Sequence, residues 1–163
     1  MLNLGTELGE GTFGHSSIDY AAYLIDVSLT LLSCLNAQAT KLEVREILRQ
    51  SRAAYSTLLV ALLYLLRLKQ NIKEVNECLD GRLLLTTVIL VASKYLLDGV
   101  ILNTNWCAVA GTELGVLNRM EMWVLETLDY RVNVRQEVFH GWVEYLFREE
   151  CVQKYLISRR ISH

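Results

Sequence analysis

The chain has 163 residues, 52% of them apolar, with a formal net charge of −2 and no block of like charges. That length accommodates one domain with a buried core, and without clustered Lys and Arg there is little to hold a phosphate backbone. The longest apolar stretches are broken by Arg67 and Lys94, so none reaches the ~18–20 residues of a membrane span.

Residues 1–15 hold Gly5, Gly9, Gly11 and Gly14 and read as a flexible leader. No strand precedes these glycines, as a phosphate-binding loop would require, and no basic region precedes an apolar one, as a secretory signal would require. Ser16 and Asp19 form a weak capping box for an N-terminal helix within 16–40, with Tyr20, Leu24, Val27, Leu31 and Leu35 as its apolar stripe. Thr40 and Glu43 form a better box and open a helix over EVREILRQ. Ser56 or Thr57 starts the next, TLLVALLYLLRL, which is apolar on nearly every side and must be surrounded by protein.

Asp80 caps a helix running to about Leu97, where Asp98-Gly99 supplies a stop signal. Between Arg82 and Asp98 its only charge is Lys94. Asn105 opens a short helix over WCAVAG that Gly111 closes, and Thr112 starts a long one through Leu128. A last amphipathic segment, from about Gln136 to Ile157, aligns Phe139, Trp142, Val143 and Leu146. There is no internal repeat and no convincing strand. The absence of proline, where average usage would give ~8 residues, suits a helical chain. The expected fold is all-α, with one helix surrounded by the others.

Cys34, Cys78, Cys107 and Cys151 are widely separated, and His15, His140 and His163 do not complete ligand spacing with them. The expectation is four mostly buried, reduced thiols, with no metal and no cofactor. No Ser-His-acid set and no close pair of acids in a polar setting marks an enzyme.

The candidate site lies on the long helix and the end of the helix that Asp80 caps. A residue advances ~100° around a helix, so Leu117, Met120, Val124 and Leu128 form a core stripe, and Asn118, Glu121 and Leu125 the adjoining flank. An apolar face that admits single charges, here Lys94 and Glu121, usually has a partner for them. Taken singly, each has a plain structural explanation: Lys94 as a lysine at a helix C-terminus, Glu121 as a solvated helix residue, Leu125 and Tyr130 as core. Trp106 and Trp123 read as core, and Arg148, Lys154, Arg159 and Arg160 as a solvated basic end.

ASKYL, then LNRME, then VLETLDYRV resemble the third and fifth helices of a cyclin box. Residues 41–134 supply five helices in that order: VREIL at 44–48 is similar to the MRAIL-like motif of the first, STLLVALLYLLRL to the second, ASKYLLD to the third, NWCAVAG to the fourth and LNRMEMWVLETLDYRV to the fifth. Arg82, ILNTNWCAVAG and ELGVLNRME are similar to the phosphate-pathway (PHO-type) branch, which is mostly fungal. The resemblance implies a single five-helix cyclin box with flanking helices, the second of them with its tail in 135–163.

It further implies a regulatory subunit, not an enzyme, that binds and activates a PHO-type cyclin-dependent protein kinase and helps select its substrates. Its partners would be that kinase and the substrates or inhibitors of the complex, with no nucleic acid and no membrane, in a soluble protein of cytosol or nucleus. Lys94 and Glu121 would grip the C-helix of the kinase, and Tyr95, Leu125, Tyr130 and Val132 would supply the apolar part of the joint. The gripped helix moves inward so that its glutamate meets the lysine that positions ATP.

Two departures from the family pattern stand out. Arg45 lacks the aspartate that cyclins place near the end of the second helix, because Leu66 occupies that position, so Arg45 turns to solvent or finds another acid. A second box does not fit in residues 135–163. These departures leave room for a cyclin-fold scaffold or adaptor that binds a non-kinase protein. A nucleic-acid adaptor of the general-transcription-factor kind is opposed by the acidic balance.

Overall fold

The structure, a computed structural model, describes residues 17–74 and 77–148. The chain divides into two compact units, one ending at Asn133 and one beginning at Val134. The described part of the first holds six α-helices, one 3-10 turn and a two-stranded bridge: α1 (Ser17–Cys34), β1 (Ala37–Gln38), α2 (Lys41–Ser51), α3 (Tyr55–Asn71), β2 (Leu79–Asp80), α4 (Gly81–Leu96), a 3-10 turn (Asn103–Trp106), α5 (Cys107–Ala110) and α6 (Leu114–Thr127). In the second unit, α7 (Gln136–Leu146) is the described helix. The fold is all-α apart from the bridge, and no described helix is long and apolar enough to cross a membrane.

The central element is α4, which packs against α1, α2, α3, α5 and α6. Its residues from Leu83 to Ser93 are all buried, as an apolar helix without a polar face requires. Two of its three buried hydroxyls are accommodated by back-bonding: Thr87 Oγ1 donates to the Leu83 carbonyl at 2.7 Å and Ser93 Oγ to that of Ile89 at 2.8 Å, whereas Thr86 Oγ1 has no hydrogen-bond partner among the described residues. Asp80 starts the helix, its Oδ1 accepting from the N–H groups of Arg82 and Leu83. Helix α3 supplies the second large share of the core, including Leu59, Val60, Leu65 and Leu68.

Thr40 and Glu43 form the capping box reciprocally, each side chain bonding the backbone N–H of the other at 3.1 Å. Elsewhere the local signals and the structure differ. Helix α3 begins at Tyr55 after Ala54 rather than at Ser56 or Thr57, because burial of its apolar surface does not wait for a side-chain cap. Helix α6 begins at Leu114 with Glu113 as N-cap, one residue past Thr112. The WCAVAG helix opens earlier than Asn105, as a 3-10 turn from Asn103, and only Cys107–Ala110 is α-helical.

In α1 the buried stripe is Leu24, Ile25, Ser28 and Leu32, continued by Leu35 just past the helix end, with Val27 and Leu31 half-buried. Ser28 joins it because its hydroxyl donates to the Leu24 carbonyl at 2.7 Å. Ser16 and the leader 1–15 lie outside the described residues.

The bridge pairs β1 and β2 in parallel, Ala37 with Leu79 and Gln38 with Asp80. Two residues are too few for an alternating pattern, so periodicity gave no sign of it. Its register brings the Gln38 carbonyl against the start of α4, where a Cβ on Gly81 would sit 2.6 Å from that oxygen. Glycine is the residue that permits this approach.

The thiols also depart from expectation. Cys34 and Cys78 are exposed and Cys107 is half-buried, because the first two lie at an element end and in a connection, not in the apolar interior; Cys151 lies outside the described residues.

Within the second unit, α7 buries Phe139, Trp142 and Leu146. Tyr145 stacks on Trp142 with ring centroids 6.0 Å apart, and the Arg148 guanidinium lies 5.9 Å from the Tyr145 ring. The helix ends at Leu146, well before Ile157; no glycine or proline marks that end, so periodicity alone carries the expectation past it. Residues 149–163 lie outside the described residues.

Candidate partner-binding site

Leu83 and Leu90 of α4, Ala110 of α5 and Leu117 of α6 form one buried cluster, with Trp106, Val116 and Met120 among the side chains packed against it. Residues four apart stack on one face of a helix. Lys94 therefore stands one turn beyond Leu90, and Glu121 one turn beyond Leu117. The apolar contact between the two helices delivers both charges to the same edge of the core.

There Lys94 Nζ lies 2.6 Å from Glu121 Oε1, with 35% and 15% of the two side chains exposed. The other oxygen, Glu121 Oε2, accepts from Asn103 Nδ2 at 2.6 Å, and the same amide donates to Asn118 Oδ1 at 2.8 Å. One carboxylate thus ties together the end of α4, the 3-10 turn and α6. Tyr95, beside Lys94, and Leu125, one turn beyond Glu121, are half-buried.

The chain leaving α6 makes an unusual turn. Asp129 and Tyr130 both adopt left-handed backbone, with φ of 53° and 55°, which costs on the order of 1–3 kcal/mol for each non-glycine residue. The turn is tied at both ends. The Tyr130 N–H donates to the Leu125 carbonyl at 2.8 Å and that of Arg131 to Leu128 at 3.0 Å.

A stripe on α3 holds it from the other side. Tyr64 Oη donates to the Val132 carbonyl at 2.6 Å, Arg67 Nη1 to those of Arg131 and Asn133 at 3.1 and 3.0 Å, and Asn71 Nδ2 to that of Thr127 at 2.9 Å. Burial pushes the Tyr64 phenol well above its ordinary range, with Tyr95 adding to the effect and Arg67 opposing it. The turn presents Tyr130 to solvent, 60% exposed, with its hydroxyl 3.7 Å from Met122 Sδ. Val132 is half-buried.

Of the six residues singled out from the sequence, Lys94 and Glu121 are in direct contact. Leu125 and Tyr130 are joined through backbone, and Val132 is held by Tyr64. Asn103, Tyr64, Arg67 and Asn71 escaped the sequence reading. Arg67 was visible only as a charge interrupting an apolar run, whereas spacing of three and four residues in Tyr64, Arg67 and Asn71 was the signal for a shared polar stripe.

Arg82 also has a local role. Its Nε donates to the Val109 carbonyl at 3.1 Å and its Nη2 to that of Ala108 at 3.4 Å. It thereby caps α5, whose C′ residue Gly111 is left-handed at φ 66°. A Cβ there would lie 2.8 Å from Arg82 Cζ. Arg45, without the aspartate, is exposed to solvent. The neighbouring Glu46 carboxyl is held below its ordinary range, chiefly by the hydrogen bond from Arg49, with the Arg45 charge contributing. No group of side chains positioned to hold a metal occurs among the described residues.

Compared with known protein families, the chain matches the Cyclin family over residues 20–132. It belongs to the cyclin family. Members of that family are regulatory subunits of kinases and not themselves enzymes. Among characterised cyclins, the chain is 33% identical over 101 residues to the G1/S-specific cyclin pas1 of Schizosaccharomyces pombe, covering 60% of this chain and 25% of the relative. It is 33% identical over 101 residues to Cyclin-P2-1 of Oryza sativa subsp. japonica, covering 62% and 46%. It is 33% identical over 111 residues to Cyclin-U2-1 of Arabidopsis thaliana, covering 67% and 50%. The matched region thus spans between a quarter and half the length of these cyclins. The family match begins within α1 and ends in the turn after α6, so the Lys94–Glu121 pair and the Asp129–Tyr130 turn both lie inside it.

Proposed function

We propose that this cyclin is the regulatory subunit of a cyclin-dependent protein kinase of the PHO type, which it binds, activates and helps direct to substrates. In this reading residues 41–134 are a five-helix cyclin box made of α2, α3, α4, the 3-10 turn with α5, and α6, flanked by α1 within 16–40 and by α7 within 135–163. The observation that carries the reading is the Lys94–Glu121 pair, set at the outer end of an apolar contact and half-exposed at its lysine. Tyr95 and Leu125 flank it, and the exposed Tyr130 follows on a braced turn. A pair so placed offers an apolar joint with one directional charged point, the arrangement that fixes orientation in a protein interface.

The subunit supplies no catalytic group. It stabilises the active kinase conformation by binding that conformation more tightly than the inactive one, and the gain equals the difference in affinity. The PHO-type assignment rests on Arg82 and on the ILNTNWCAVAG and ELGVLNRME sequences. Partners in this reading are the kinase and the substrates or inhibitors of the complex, without nucleic acid or membrane, in the cytosol or nucleus.

The test is to titrate a purified PHO-type cyclin-dependent kinase with this chain and with its Lys94→Glu variant, following phosphorylation of a model substrate. Saturable stimulation, lost in a variant whose helical content is unchanged, is the expected result. Absence of stimulation by the well-folded parent chain would instead favour a cyclin-fold scaffold for a non-kinase protein.

A further inference from the structure

Asn103 stands at the start of the 3-10 turn, outside both helices that carry the charged pair, yet its amide is committed to them. Nδ2 donates to Glu121 Oε2 at 2.6 Å and to Asn118 Oδ1 at 2.8 Å. A carboxylate can only accept, so the amide must present its nitrogen to Glu121, and its oxygen must face the other way. That oxygen, Asn103 Oδ1, is buried and has no hydrogen-bond partner among the described residues. Leaving a buried acceptor unmade opposes folding. The arrangement accepts this cost and in return places both donor positions of one amide on α6.

The consequence falls on Glu121. With Oε1 on Lys94 and Oε2 on Asn103, both oxygens of the carboxylate are engaged and its rotation is arrested. Asn118, one turn before Glu121 on the same helix, holds the amide from its other side. A lysine–glutamate pair alone leaves the carboxylate free to turn about its last bond; the amide removes that freedom before a partner arrives, which lowers the ordering cost of association.

We propose that Asn103 is a positioning residue for the Lys94–Glu121 pair, acting on partner binding through Glu121 and not by touching the partner. The proposal rests on the reading of this site as the kinase-binding surface, and the experiment separates the two. Binding of a purified PHO-type cyclin-dependent kinase is measured for the parent chain, Asn103→Ala, Asn103→Asp, Glu121→Ala and the double variant Asn103→Ala/Glu121→Ala. Loss of a hydrogen bond to a charged group predicts roughly tenfold weaker binding for Asn103→Ala, and less than about twofold further loss once Glu121 is already Ala. Asn103→Asp, nearly the same shape, removes the donor and sets a like charge against Glu121. It is therefore expected to bind more weakly than Asn103→Ala, with the difference shrinking at high salt.

Three results would overturn the proposal: parent-like binding by Asn103→Ala, an equal loss with and without Glu121, or an Asn103→Asp variant that binds better than Asn103→Ala, which would mean that only the shape of the side chain counts. If the parent chain binds no kinase, the functional reading fails, and the positioning role is decided by unfolding alone. The coupling between Lys94→Met and Glu121→Gln, read as a ratio of unfolding equilibrium constants, is expected to fall at least about twofold in the Asn103→Ala background. An unchanged ratio there sinks the positioning role whatever the partner is.

Discussion

The hydroxyl of Tyr64, in the middle of α3, donates to the carbonyl of Val132 at 2.6 Å, so the chain leaving α6 takes its path from a helix 68 residues away in sequence. That bond and its neighbours from Arg67 and Asn71 add to the turn's own backbone bonds in offsetting two consecutive left-handed residues at Asp129 and Tyr130. The exposed position of Tyr130 is therefore a tertiary property.

This bond has a pH signature. The phenol is buried, so its folded-state ionisation lies above the ordinary value near 10. Above that pH the unfolded chain releases the Tyr64 proton while the folded chain keeps it. The folded state then binds more protons, and stability falls as pH rises. The contribution is fully present below about 10 and declines above it. Urea denaturation between neutral and strongly alkaline pH is expected to show this decline, and Tyr64→Phe to flatten it. Near neutral pH the same variant is expected to lose about 1 kcal/mol, the net worth of one such hydrogen bond.

Arg67→Met keeps the apolar stem and removes the two bonds to Arg131 and Asn133. Amide hydrogen exchange of Arg131 and Val132 is expected to accelerate, while the amides of α4 keep their protection, because the loosening is local. Equal acceleration in α4 would show instead that Arg67 stabilises the whole core.

The Lys94–Glu121 pair is expected to contribute little to stability and much to partner binding. With the lysine 35% exposed, solvent screening limits the pair to about 1 kcal/mol or less, so Lys94→Met should shift the urea midpoint only slightly. Binding of a cyclin-dependent kinase by the same variant is expected to weaken by tenfold or more, the usual cost of unpairing a charge in an interface. A large stability loss with intact binding would assign the pair to the fold alone.

Gly111→Ala is expected to destabilise the chain by about 1–3 kcal/mol, because φ at Gly111 is 66° and an alanine there is strained. The added Cβ would also push the Arg82 guanidinium off the Val109 and Ala108 carbonyls. In an Arg82→Ala background only the backbone strain remains, so the glycine substitution should cost less. Equal costs in both backgrounds would remove Arg82 from the account.

Thr40→Ala should cost about 1 kcal/mol, the typical worth of an N-cap, since both arms of the Thr40–Glu43 box are formed. Thermal unfolding of Thr40→Ala beside Thr40→Ser checks this, with serine expected to retain most of the stability.

Features legible in the amino-acid order are those whose physics is local. The Thr40–Glu43 box, the Asp80 cap and the Gly111 stop bond within a few residues of themselves. The run TLLVALLYLLRL had to be surrounded, because it is apolar on nearly every side, and Leu59 through Leu65 are buried in α3. Lys94, near the end of α4, and Glu121, beside the core stripe of α6, stood out as a pair of single charges on apolar faces, since helical spacing places each on a definite side of its helix. Only folding could decide that Leu90 meets Leu117, and hence that Lys94 and Glu121 meet one turn further on. Asn103, 18 residues before Glu121, carries no periodic signal, and the spacing of Tyr64, Arg67 and Asn71 marks a shared helix face but not the carbonyls 56 to 68 residues away that they hold, because a hydrogen bond across such a separation exists only once the helices have packed.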